Sequence, residues 1–158
     1  MKIGDHVADL SGVDETGGPF RLSDLLAKGP LVMFFYPAAM SPGCTKESCH
    51  FRDLAGEFAA LGVNIVGVSA DTVDKQAAFS AEHSLEFPLI ADTDRTIAAA
   101  FGVRRRLGPN KRSTFVVDTD GTVLARIDSE FSMSRHADAA LEALRTHAIL
   151  KMKKKETE

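Results

Sequence analysis

Apolar positions follow two rhythms along this chain. Leu31 to Tyr36 (LVMFFY) is an unbroken apolar run bounded by Gly29-Pro30 and Pro37, and Val63 to Ser69 (VNIVGVS) is a second. Runs of this length between turn residues read as strands buried on both faces. Between them, Phe51, Leu54, Ala55 and Phe58 recur at i, i+3, i+4 and i+7, which is one face of a helix. The spacing predicts a helix over 42–61, with Gly62 as its stop. Two apolar strands joined by a helix form a βαβ unit with parallel pairing.

The flanking segments complete one α/β domain over residues 1–150. Residues 1–20, with the turn signal Asp14-Glu-Thr-Gly-Gly18, read as a short N-terminal hairpin or pair of extended pieces. Ser23 is expected to cap a brief helical turn through Leu26, closed by Gly29 and Pro30. Asp71 or Thr72 caps a helix running to about residue 82. Phe87 to Ala91 is a short extended piece whose Pro88 suits a sheet edge or strand start. Asp92 or Asp94 opens a short helix with Ile97, Ala100 and Phe101 on one face, ended by Gly102. Ser113 to Asp118 and Thr122 to Ile127 flank Thr-Asp-Gly and read as a hairpin. Ala137, Ala140, Leu141, Leu144 and Ala148 mark a C-terminal amphipathic helix, and 151–158 (KMKKKETE) reads as a disordered Lys-rich tail. A βαβ half, a hairpin and a closing helix make a thioredoxin-like arrangement, with a central mixed sheet flanked by helices.

Composition narrows the function classes. The chain has 158 residues, with 19 basic against 22 acidic side chains and a formal net charge of −3. That balance offers no global attraction to nucleic acid or to acidic lipid. The N-terminal MKIGDHVADL has no long apolar core of a secretory signal, and the longest apolar run is too short to cross a bilayer. A cytoplasmic location is the expectation. In a reducing compartment two nearby cysteines point to catalysis, redox chemistry or metal binding rather than to a structural staple.

Both cysteines, Cys44 and Cys49, lie just after the strand 31–36. Ser41 is a strong N-cap type and Pro42 suits the first helical position, so Cys44 falls in the first turn of the helix. Unpaired N–H groups and the positive dipole end favour an anion there, and the thiolate is the reactive form of cysteine. Pro37 turns the chain out of the strand, and Gly43 leaves room beside the thiol. Cys49 follows five residues later, which along an ideal helix puts the two Cα atoms roughly 8–9 Å apart. A disulfide needs them within about 7 Å, so the pair can bridge only if the first turns unwind. Cys49 alone could be a small buried hydrophobe. A metal site from Cys44, Cys49 and His50 matches no common zinc spacing, and the pair is not a C-x-x-C dithiol. Arg104, Arg105, Arg106 and Lys111 form a basic loop of mostly solvated charge, and none of the scattered histidines is assigned a catalytic role.

These residues carry a resemblance. Pro37-(x)3-Ser41-x-x-Cys44 resembles the active-site motif of the peroxiredoxins, and SPGCTKESC resembles their bacterioferritin-comigratory, or PrxQ-type, branch. Arg112-Ser-Thr-Phe-Val-Val-Asp118 is similar to the segment that supplies the family's active-site arginine, and Glu47 matches an acidic position that orients it. Ser41 departs from the commoner threonine but keeps the hydroxyl.

The resemblance implies a thiol peroxidase acting on hydrogen peroxide and organic hydroperoxides. Cys44 would be the peroxidatic cysteine and Cys49 the resolving one, closing an intramolecular disulfide reduced by thioredoxin or glutaredoxin. Arg112, Ser41 and helix N–H groups would stabilise the leaving oxygen, with Pro37 covering the site and Glu47 in support. No metal, haem or flavin cofactor is implied, nor nucleic acid or membrane, and a monomer is expected. Two other readings remain open: a peroxide-responsive sensor using the same disulfide switch, and a thiol–disulfide exchanger.

Overall fold

The computed structural model describes residues 1–157. The chain opens with an antiparallel hairpin, β1 (Ser11–Val13) and β2 (Pro19–Arg21), followed by a short helix, α1 (Leu22–Leu26). Ser23 does not cap that helix. Its N–H and hydroxyl both donate to the Asp9 carboxylate, at 3.0 Å each, so the acceptor comes from outside the helix. These bonds to the anion hold the Asp9 carboxyl below its usual range, the Ser23 N–H contributing most.

The central strand β3 (Leu31–Phe35) is fully buried on both faces, which is why its sequence shows no alternation. Val32 and Phe34 join one core cluster, and Leu31, Met33 and Phe35 join the other. The predicted helix over 42–61 is two helices, α2 (Pro42–Asp53) and α3 (Ala55–Ala60). The break falls at Leu54, where ψ opens to 1°, two residues before the poor helix former Gly56. Strand β4 (Asn64–Ser69) then pairs in parallel with β3. Gly67 of β4 lies under the rings of Phe34 and Tyr36, where a Cβ would come within 2.9 Å and 3.1 Å of ring atoms.

Helix α4 (Val73–His83) is capped by the Thr72 hydroxyl, which accepts the Lys75 N–H. Strand β5 (Leu89–Ala91) pairs in parallel with β4 at the sheet edge, as its proline suggests. Both candidate acids serve α5 (Thr96–Ala100). The Asp92 carboxylate accepts from Ile97 and Ala98, and that of Asp94 accepts from Thr96. The hairpin β6 (Ser113–Val117) and β7 (Val123–Asp128) follows, with a register shift at Val116/Val117. The last helix, α6 (Met133–Glu156), continues through most of the segment expected to be a disordered tail. Lys153, Lys154 and Lys155 occupy its final turn, where the dipole favours cations; residue 158 of that expectation lies outside the described residues.

The sheet order is β5-β4-β3-β6-β7, parallel on one side of β3 and antiparallel on the other. Phe51, Phe58, Phe79, Ala140 and Leu144 bring α2, α3, α4 and α6 onto one face. Leu22, Leu26, Ile97 and Ala98 bring α1 and α5 onto the opposite face. This is the expected thioredoxin-like sheet flanked by helices, with an added N-terminal hairpin.

Candidate active site

Sheet topology assembles the site. β6 runs antiparallel to β3, with Ser113 opposite Phe35, so the chain enters β6 at the end of the sheet where it leaves β3. Arg112, one residue before β6, therefore faces the Pro37–Cys44 segment despite the long separation in sequence. Its Nη2 donates to the Cys44 sulfur at 3.4 Å, and both side chains are almost wholly buried.

Cys44 is the third residue of α2, after Ser41 at the N-cap position and Pro42 at N1. The first helical bond runs from Thr45 N–H to the Ser41 carbonyl at 2.9 Å. That leaves the Gly43 and Cys44 N–H groups without helical acceptors, at the positive end of the dipole. Ser41 holds the N-cap position but its hydroxyl does not cap. It donates instead to the Ala38 carbonyl at 2.8 Å, bracing the loop and leaving its lone pairs free. The expected room beside Gly43 is taken: a Cβ there would meet Arg112 Nη2 at 3.3 Å and Met133 Sδ at 3.4 Å. Glycine is what lets the guanidinium lie against the helix start.

A buried polar chain holds the loop that carries Pro37. Tyr36 donates its hydroxyl to Gln76 Oε1 at 2.5 Å, and Gln76 Nε2 donates to Ser69 Oγ at 2.8 Å. Ser69 donates to Asp71 Oδ2 at 2.6 Å, and the same oxygen accepts Ala39 N–H at 2.7 Å. Pro37 itself is half-buried in the turn between Tyr36 and Ala39. This network was not read from the sequence, because it joins three segments that only the fold brings together.

Glu47 has no exposed surface and stands one turn after Cys44 with its Oε2 at 3.5 Å from Arg112 Nη1. Neither carboxylate oxygen has a hydrogen-bond partner among the described residues. Burial pushes this carboxyl up to about 8, against the lowering pull of the Arg112 charge. Desolvation works against the buried Arg112 cation, yet the Glu47 and Cys44 charges together hold its pKa above the ordinary arginine value. Glu130, unassigned by sequence, accepts the Arg112 backbone N–H at 3.0 Å and Arg105 Nη2 at 2.8 Å. Arg105 is thus tied to the site and is not simply solvated loop charge.

Cys49 lies on the same unbroken helix as Cys44, is partly exposed, and is a free thiol like Cys44. His50 beside it bonds Asp138 Oδ1 at 2.8 Å, joining α2 to α6. Phe51 stacks on Phe34 with ring centroids 4.4 Å apart, in the cluster that contains Cys44. Phe35, also considered as a pocket residue, packs on the far face against Phe101 and Phe115.

A thiol at a helix start under a buried guanidinium, on a thioredoxin-like sheet, defines a thiol-dependent redox enzyme. The AhpC/TSA family pattern matches residues 3–126. The chain is 37% identical over 153 residues to peroxiredoxin Bcp of Bacillus subtilis, covering 92% of this chain and 94% of that one. It superposes with a TM-score of 0.90 on peroxidoxin BcpB of Mycobacterium tuberculosis, at 57% identity and 92% and 97% coverage. The bacterioferritin comigratory protein of Xanthomonas campestris follows at a TM-score of 0.81, 34% identity, and 88% and 92% coverage. The protein belongs to the AhpC/TSA family: it is a peroxiredoxin, a thiol peroxidase, as the motif resemblance implied.

Proposed function

We propose that Cys44 is the peroxidatic cysteine and Cys49 its resolving partner. The observation that carries this is the 3.4 Å approach of Arg112 Nη2 to the Cys44 sulfur, at a helix start with free N–H groups. The Cys44 thiolate attacks the terminal oxygen of a peroxide, the O–O bond breaks, and the departing oxygen takes a proton as water or alcohol. Arg112 and the helix N–H groups stabilise the charge developing on that oxygen. The solved Xanthomonas campestris protein is described for alkyl peroxide reduction, which supports organic hydroperoxides as substrates here beside hydrogen peroxide. Cys44 has no exposed surface, so a peroxide reaches the sulfur only once the residues covering it move aside.

The Cys44 sulfenic acid then condenses with the Cys49 thiol, forming a disulfide and releasing water. The intact α2 holds the two apart, so its first turns unwind before this step. A thioredoxin-type or glutaredoxin-type dithiol returns both cysteines to thiols and becomes a disulfide itself. An internal partner for Cys44 makes a monomer sufficient for the cycle. Among the described residues no helix is long and apolar enough to cross a membrane. A cytoplasmic setting is the reading that a recycled dithiol supports.

Mass spectrometry after one equivalent of peroxide tests the assignment. A loss of two hydrogens within one chain, mapped to Cys44 and Cys49, is expected. Cys44→Ser should abolish peroxide consumption, and Cys49→Ser should allow one oxidation of Cys44 and stop turnover by thioredoxin. Robust turnover by the Cys44→Ser protein would overturn it.

A further inference from the structure

His136 lies on the buried face of α6, four residues before Ala140, with no exposed surface. Three elements meet at its ring. Nε2 is 2.8 Å from the Ser129 carbonyl, which can only accept, so Nε2 carries the hydrogen. Nδ1 is then the acceptor for the Thr114 hydroxyl of β6, also at 2.8 Å. The same Nε2 edge stands 3.5 Å from Glu47 Oε2 on α2. Burial lowers the His136 pKa, with the Arg112 charge adding to the effect, so the neutral ring is the resident form.

These contacts converge on Arg112. Ser129 N–H donates to the Arg112 carbonyl at 3.4 Å, and the adjacent Glu130 accepts the Arg112 N–H at 3.0 Å. The loop that grips the Arg112 backbone is therefore anchored through the Ser129 carbonyl to His136. Glu47 Oε2, which faces the Arg112 side chain at 3.5 Å, stands at the same 3.5 Å from His136 Nε2. Thr114 fixes the ring from β6, two residues after Arg112 itself.

We infer that His136 is a positioning residue for peroxide reduction: with Thr114 it locks the Ser129–Glu130 loop so that Arg112 stays aimed at Cys44. The inference rests on the assignment of Cys44 and Arg112 above. His136 touches neither sulfur nor substrate, and its effect passes through the guanidinium. Displacement of a catalytic group by about 1 Å can cost on the order of 100-fold in rate.

The test is rapid-quench peroxide oxidation of the full-length protein, with Cys44 oxidation counted by mass spectrometry. Thermal midpoints are measured alongside for wild type, His136→Leu, His136→Gln and Thr114→Val. Gln can restore a donor near the Nε2 position, whereas Leu restores none. The expected result is a slowing of about 10- to 100-fold in His136→Leu and a smaller slowing in Thr114→Val. His136→Gln should recover most of the rate even where its thermal midpoint stays as low as that of the leucine variant. Oxidation within twofold of wild type in both Thr114→Val and His136→Leu overturns the inference while leaving Cys44 as the reactive thiol. Equal slowing in the Gln and Leu variants, in step with their stability, also overturns it. If His136→Leu does not fold, Thr114→Val decides alone, since it exchanges one hydroxyl for a methyl group. Wild-type protein that fails to react at Cys44 overturns both readings.

Discussion

Arg112 divides its guanidinium between two acidic groups on successive turns of one helix. Nη2 stands 3.4 Å from the sulfur of Cys44, and Nη1 stands 3.5 Å from Oε2 of Glu47. The fork geometry of arginine suits this double contact, and the single ammonium of lysine cannot reproduce it. Arg112→Lys should therefore slow Cys44 oxidation by about 100-fold or more, despite keeping the charge. Rapid-quench kinetics at fixed peroxide checks this; a lysine variant within fivefold of wild type would show that charge alone suffices.

Glu47 carries a pH signature. Its carboxyl holds its proton in the fold up to about 8, whereas in the unfolded chain it ionises near the ordinary glutamate value of 4.5. Between those values the unfolded state releases a proton that the native state keeps, so stability falls as pH rises, by up to about 1.4 kcal/mol per unit. Glu47→Gln removes that slope. Denaturant unfolding at pH 5 and pH 8 should show the variant gaining on wild type at the higher pH. Below pH 8 its peroxide reaction should stay close to the wild-type rate, because the amide keeps an acceptor oxygen toward Arg112 as the protonated carboxyl does. A wild-type-minus-variant difference that does not change with pH would remove Glu47 as the titrating group.

Asp71 Oδ2 accepts from both Ala39 N–H and Ser69, at the end of the chain that begins with Tyr36. Asp71→Ala leaves these buried or half-buried donors unpaired, at a cost of about 1–3 kcal/mol each where water cannot replace the acceptor. Thermal denaturation should record the loss, and the slackened 37–41 loop should reduce the Cys44 rate. Asp71→Asn keeps an acceptor oxygen and is expected to fall between.

Much of this was legible beforehand. The two apolar runs located β3 and β4, and the proline–serine–cysteine spacing located the helix start, because local chemistry determines both. Arg112 was legible by its resemblance to a known segment. What escaped was long-range or polar-in-core. His136 occupies an apolar helical face, a signal in the pattern that the bare histidine count hides. Glu130 lies in a loop without regular spacing, and Leu54 breaks a helix whose apolar periodicity runs through the break without interruption.

Ser48 offers a test of the resolving step. It lies between the two cysteines on α2, fully buried, and its hydroxyl has no hydrogen-bond partner among the described residues. Ser48→Ala removes an unpaired polar group and raises helix propensity, so α2 should be stabilised by about 1–3 kcal/mol. Cys44 oxidation should keep its rate while formation of the 44–49 disulfide slows. Time-resolved mass spectrometry should then find more sulfinic acid at high peroxide. Faster disulfide formation in this variant would contradict unwinding as the gate.

The interruption at Leu54 gives that unwinding a boundary. Phe51, stacked on Phe34, pins the last turn of α2, and α3 is a separate hydrogen-bonded unit whose Phe58 lies in the same core. Melting that starts at Pro42 can run past Cys49 and stop at an aromatic anchor, with a ready-made end of helix behind it. On the proposed cycle the break works as a firebreak: one segment opens for the 44–49 disulfide while the rest of the fold stays closed.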